Sequence, residues 1–437
     1  MKEYLNDIAW HNIFEKYDIL AEVEKSNQFV ISAEKIKPFR EPRLMTKFDH
    51  AVNLPKIFSD NELSILPISR GNYIIAPFKT FHDFKTDILE DESITQLPLP
   101  DNLQSITYET PITSEAVALN IAAAAGIFSD FFEIKDQEND FLIPTVSGRM
   151  SSGTFDFQIN SVAESTINVS VSNAQIEIDA AYESRDFLAL FEAKNDLSDD
   201  FIIRQLFYPY RLWSNKITKS IRPVFLVYSN GIFQLREYIF EDPAKYNSLK
   251  IIKQKRYSLE NTSISAEDIQ SVLHETQTVP ESGIPFPQAD SFERVVNLCE
   301  LIKVKDQPLA KDSITNQYAF DPRQTDYYTN AALYLGLLDK TKQDSSLVFT
   351  LSNTGSTLLQ KKYKDRQLSF CKLILCHKAF HDALALYFNT GSLPTFDEIV
   401  SIMKNSNLYN ISSDVTFKRR ASTVSAWIKW IVGLINE

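Results

Sequence analysis

Apolar positions change their period several times along this chain, and each change predicts an element. Between residues 4 and 21, Leu5, Ile8, Ala9, Ile13 and Phe14 recur at helical spacing, and residues 28–31 then read as a strand. Two more strands flank Ser69-Arg70-Gly71-Asn72, the composition of a hairpin turn. A helix is predicted to begin at Thr113 or Ser114, both good caps, and to run through EAVALNIAAAAGIFSDFF, whose alanines imply close packing against a neighbour. Phe155 and Phe157 alternate with polar residues in the next strand, and TINVSV gives another. In QIEIDAAYESRDFLALFEAK, residues 175–194, a period of two appears twice, so two strands meet through a connection at 183–186. The helix SDDFIIRQLFYPYRLW follows, and then two strands around Asn230-Gly231.

A chain of 437 residues exceeds one ordinary domain. Acidic and proline-containing stretches divide it into an α+β N-terminal domain (1–100), an α/β core with a mixed central sheet flanked by helices (101–265), a linker (266–290) and a mainly helical C-terminal domain (291–437). The hydrophobic content of 44% supplies more than one core. Cys299, Cys371 and Cys376 lack paired ligand spacing, which predicts reduced cysteines and argues against zinc. Acids in the first turns and no apolar segment predict neither signal peptide nor membrane anchor, hence a cytoplasmic protein without a membrane partner. A net charge of −12 excludes a general nucleic-acid coat. The charge is uneven, however. Residues 291–437 hold 18 Lys+Arg against 14 Asp+Glu, a balance of +4, which leaves 27 against 43, or −16, for the first 290. An acidic body with a mildly basic final third permits local DNA contacts.

The candidate chemistry lies in the 175–194 hairpin. A four-residue connection at 183–186 sets Tyr182 opposite Phe187 and Asp179 opposite Leu190. Glu192 is then a diagonal neighbour of Asp179 on one face, with Cβ atoms roughly 7–8 Å apart. That spacing suits one hard cation, held by Asp179, Glu192 and the carbonyl of Ala193, and Lys194 points to the same side. Charges among Ile, Leu, Ala and Phe need partners or a metal.

The D…E-x-K pattern on adjacent strands, followed by a helix, resembles the PD-(D/E)XK nuclease superfamily and, within it, the type II restriction endonucleases. The match spans about residues 113–237. Ile178 stands where the motif name has proline, and Pro209 stands where the RecB-like branch has a tyrosine. The resemblance implies Asp179 and Glu192 as Mg²⁺ ligands, Lys194 as the catalytic lysine, and Glu115 and Gln205 as helix-borne helpers. It implies sequence-specific hydrolysis of double-stranded DNA in host defence, a homodimer when both strands are cut, and a cognate DNA methyltransferase in the same system. The alternatives are a modification-dependent or repair endonuclease on the same core, and a non-catalytic winged-helix regulator.

DNA-reading residues are expected on both sides of the core. Arg40, Arg43 and Lys47 lie on a proline-stiffened loop, and Arg70 lies at a hairpin turn. In the C-terminal third, segments 292–304, 311–318 and DPRQTDYYTNAALYLGLLD read as three helices, and LVFTLSNTGSTLLQ as a strand and turn able to form a wing. Arg323, Gln324 and Tyr328 on the third helix have side chains able to meet bases or phosphates, as do Arg419 and Arg420 before the final apolar helix.

Overall fold

Each of the two period-two runs between residues 175 and 194 is a strand in the computed structural model, Gln175–Glu183 and Phe187–Lys194. The structure describes residues 5–87, 93–103, 112–135, 140–318, 320–343 and 346–436. Two compact units share the chain. The first comprises Met1–Ser93, Pro100–Tyr228 and Phe233–Arg256, and the second Ile94–Leu99, Ser229–Ile232 and Tyr257–Glu437.

Beside a two-stranded sheet, Phe81–Asp83 paired with Asp200–Ile202, two large sheets build the first unit. One has the order Phe29–Ser32, Asn72–Ala76, Ser64–Ser69, Thr166–Ser172, Thr154–Asn160. Ser69 pairs in parallel with Ser172, so strands from before residue 100 and after it share one sheet. The expected division at residue 100 is therefore not a division between compact units. The other sheet runs, within this unit, Leu249–Ser258, Ile232–Phe240, Ser220–Ser229, Phe187–Lys194, Gln175–Glu183, Ile143–Ser151. It is mixed, because Phe187–Lys194 runs parallel to Ser220–Ser229 and antiparallel to Gln175–Glu183. Asn230 and Gly231 both have positive φ, 52° and 79°, as the tight turn between two of these strands requires.

Successive strand residues point to opposite faces, and here both faces are covered. Phe191 stacks on Phe128 of the helix Ile127–Phe131, with centroids 4.3 Å apart, while Glu192 meets Gln205 of the helix Arg204–Ser214. Leu206, Phe207 and Tyr208 of that helix join Phe157, Val169, Phe225 and Tyr246 in one apolar core spanning both sheets. Two predicted helices are each broken once. Asp18, at φ 49°, separates Leu5–Lys16 from Ile19–Ser26, and Gly126, at φ 80°, separates Glu115–Ala124 from Ile127–Phe131.

In the second unit, the helices Phe292–Lys305, Lys311–Gln317 and Pro322–Tyr334 precede the antiparallel strands Leu338–Gln343 and Ser346–Leu351. The short strand Leu309–Ala310 pairs with Ser346–Leu351, which lies in the middle of a three-stranded sheet. The expected turn after Leu351 is instead the helix Asn353–Leu358. Residues 266–290 are no linker, since the helix Ala266–Glu275 buries Ile269 and Leu273, and Phe286 and Ala289 join the same core as Phe292 and Trp427. Among the described residues no helix is long and apolar enough to cross a membrane.

Candidate active site

Hairpin register brings the two acids together. Leu188 pairs with Glu183, Ala189 with Tyr182, Leu190 with Ala181 and Phe191 with Ala180. The turn is tighter than expected, because Ser184 N–H donates to the Phe187 carbonyl at 2.9 Å and its hydroxyl accepts from Asp186 and Phe187 N–H. The resulting shift is two residues, an even number, which keeps Asp179 and Glu192 in one parity; the pairing ends at Ala180 and Phe191, beside both acids. On its other side Asp179 departs from strict alternation. Val146 pairs with Ala181 and Gly148 with Ile178, so one residue, Ser147, faces both Asp179 and Ala180. Such a β-bulge re-aims a side chain. The Asp179 carboxylate accepts from Ala193 N–H through Oδ2 at 2.9 Å.

Glu192 is 6% exposed. Its Oε1 accepts from Lys194 Nζ and from Gln205 Nε2, each at 2.5 Å. Burial pushes its carboxyl up to about 8, with Lys194 opposing the shift and Asp179 and Asp49 adding to it. Glu115, in the first turn of its helix below the Ser114 cap, rises to about 7. Burial is again the main cause, while Lys194 pulls downward and Asp179, Asp196 and Asp49 push upward. For Lys194 burial favours the neutral amine, but Glu192, Asp49, Glu115 and Asp179 outweigh it and keep the ammonium charged. The electrostatic pattern is that of surplus carboxylates around one lysine. Protons taken up by Glu192 and Glu115 relieve the excess.

Sequence reasoning missed Asp49, His50, Asp196 and Asp200. His50 Nδ1 lies 2.6 Å from the Asp200 carbonyl and 3.3 Å from Asp200 Oδ1, and its Nε2 lies 3.5 Å from Asp196 Oδ2. Burial lowers the imidazole, but the Asp196 and Asp200 bonds prevail and carry it up to about 9. For Asp196 burial acts upward, yet the bond with His50 holds it below the ordinary carboxylate range. Only Asp196 left a trace in the sequence, as the next alternate position after Glu192 and Lys194. His50 is about 150 residues from its partners, beyond any local pattern.

Among the described residues no three His, Cys, Asp or Glu side chains form a group able to hold a metal. The donor set is smaller, and it fits a cation that retains most of its waters and takes one or two carboxylates, as Mg²⁺ does. The hydrogen bonds above fall on one oxygen of each carboxylate, Oδ2 of Asp179 and Oε1 of Glu192. Ala193, fully buried and next to Glu192 in the chain, gives its N–H to Asp179.

The expected DNA-contacting residues are scattered. Arg43, Lys47 and Arg70 are exposed and Arg40 half-buried. Lys47 Nζ lies 3.8 Å from Glu177 Oε2. In the second unit Arg323 and Arg419 are exposed, the latter bonded to Gln288 at 3.2 Å, and Arg420 is half-buried. Two assignments do not hold in this structure. Tyr328 is a core residue, 7% exposed and stacked on Phe320 at 4.7 Å, so its ring does not face a DNA groove. Gln324 accepts from Asp321 N–H at 3.0 Å, which closes the helix N-terminus instead of presenting the amide to bases.

Three family descriptions match consecutive parts of the chain, each a domain of unknown function. They are DUF6996 over residues 7–75, DUF6997 over 76–258 and DUF7226 over 294–436. No curated protein and no solved structure matches it. The candidate site falls in the segment matched by DUF6997, with Asp49 and His50 contributed from the segment matched by DUF6996.

Proposed function

We propose that this protein is a Mg²⁺-dependent DNA endonuclease of the restriction type, with the 175–194 hairpin in its catalytic core. The observation that carries the reading is the convergence of Asp179, Glu192, Lys194 and Gln205 at one end of two paired strands, with Glu115 coupled to them electrostatically. Such a gathering of buried charge costs stability, and a fold retains it for chemistry or for a ligand. Asp179, Glu192 and the Ala193 carbonyl would hold the cation, which when bound polarises a phosphodiester oxygen and acidifies water. Lys194, kept charged by the surrounding acids, is the group able to steady negative charge developing on the scissile phosphate. Gln205 fixes the orientation of Glu192 through its amide. Glu115 is poised near neutrality and can accept or release a proton.

The three helices and three-stranded sheet at 292–351 support a winged-helix reading, in which Arg323 and the exposed Lys340 and Lys342 are phosphate contacts. Double-stranded DNA is thus the proposed substrate in a cytoplasmic setting, with a homodimer at the moment of double-strand cutting and a methyltransferase protecting host sites. The test is cleavage of phage and plasmid DNA in Mg²⁺. Asp179→Ala and Glu192→Ala are expected to abolish cutting while DNA binding in Ca²⁺ persists. Continued cutting by either variant refutes the site. Digestion of methylated against unmethylated DNA separates a restriction enzyme from a modification-dependent one.

A further inference from the structure

Between Lys194 and Gln205 the chain leaves the hairpin, forms the short strand Asp200–Ile202 and enters the helix Arg204–Ser214. This connection carries two site residues at its ends, so its conformation sets where Gln205 and Lys194 stand with respect to Glu192. Residues 49–51 brace it along its length. The Asp49 carbonyl accepts from Ile202 N–H at 2.9 Å, Ala51 N–H donates to the Asp200 carboxylate at 3.1 and 3.3 Å, and His50 spans Asp196 and Asp200. The His50 side chain is 7% exposed, and those of Asp196 and Asp200 are 22% and 19% exposed. A cation at His50 compensates two carboxylates that are largely out of water, and its removal leaves them without that partner.

We infer that His50 is a positioning residue of the site, acting through Asp196 and Asp200 on the 195–203 connection. Its catalytic consequence rests on the nuclease reading, whereas its structural consequence does not. The segment that reads as DNA-contacting in the sequence thus has a second role, completing a site whose main residues lie more than 120 residues away. Asp196, ionised through His50, also adds a fixed negative charge beside Lys194 and Glu115.

The experiment compares wild type, His50→Gln, Asp196→Asn and the double variant in the full chain by two readouts. Amide hydrogen exchange at residues 195–203 is expected to quicken at least about tenfold in His50→Gln, with the core strands 187–194 and 220–229 unchanged. The single-turnover cleavage rate is expected to fall about tenfold or more, while the Kd for DNA in Ca²⁺ stays within about twofold. Asp196→Asn added to His50→Gln removes one stranded charge and restores part of the rate, an effect that mere loss of packing does not produce. Unchanged exchange overturns the inference. Quickened exchange with undiminished cleavage, or a rate loss matched by weaker DNA binding, overturns its catalytic half. If wild type cuts no DNA, the nuclease reading fails, and exchange alone decides whether His50 positions the connection. Should His50→Gln not fold, Asp196→Asn, which leaves the His50–Asp200 bonds intact, carries the same comparison.

Discussion

The hairpin at 175–194 and the helix Pro322–Tyr334 both carry polar residues expected to act on DNA, and the two elements dispose their side chains differently. In the hairpin, Glu192 and Lys194 lie on one face and share a 2.5 Å contact. In the helix, Tyr328 is in the core and Gln324 closes the N-terminus. A strand has two faces, so parity alone sorts its side chains. A helix divides the same residues among a cap, a buried stripe and an exposed stripe, and here Thr325, Tyr328, Thr329 and Ala332 form the buried one. Which side of a helix meets the core depends on what packs against it.

The largest expected effects lie at the hairpin. Beyond the loss of cutting expected for Asp179→Ala and Glu192→Ala, Lys194→Ala should slow cleavage about 10²–10³-fold in single-turnover assays with Ca²⁺-mode binding retained. A smaller loss would mean that the lysine serves only to pair Glu192. Next in size, Tyr328→Ala should destabilise the second unit by about 3 kcal/mol in urea unfolding, with DNA affinity per folded molecule unchanged. Weaker DNA binding at full stability would return Tyr328 to the DNA-facing surface.

Stability against pH sharpens the hairpin side further. His50 has a raised folded pKa of about 9, so its contribution is fully present below pH 6.5 and is lost as pH rises through 9. Its limit is about 3 kcal/mol for that shift of an almost fully buried group. Glu192 and Glu115 are raised as well, to about 8 and 7, and they likewise cost stability as pH climbs above the ordinary carboxyl range. In metal-free protein these three groups should therefore withdraw stability from about pH 4.5, where the carboxyls begin, up to about pH 9, where His50 ends. His50→Gln should flatten the slope, and Mg²⁺ should raise Tm more at pH 8 than at pH 6, because protons and cation compete for the same carboxylates. A Tm that is level with pH in wild type would contradict the charge assignment. Smallest is the effect of Arg323→Ala, which should reduce the salt-dependence slope of DNA binding by about 1.

Parity and turn chemistry made much of this molecule legible beforehand. The alternation in 175–194, the cap at Ser114, and the positive-φ turns at Gly71 and Asn230-Gly231 are consequences of local sterics and hydrogen bonding, and they were readable from residue types. What escaped were features fixed by partners distant in sequence. The bulge at Asp179 exists only against the strand Ile143–Ser151, the shared sheet joins residues on either side of position 100, and the connection expected at 266–290 is drawn into a core by Phe292 and Trp427.

That two acids and a lysine sit on adjacent strands is settled locally, because a period of two leaves a side chain only two directions. Only contacts between distant segments brought Gln205 onto Glu192, aimed the Asp179 carboxylate at the Ala193 N–H, and set His50 against Asp196 and Asp200. The physical reason is range. Strand parity is set by neighbouring residues, whereas burial and charge compensation at one point are set by whatever the fold brings there.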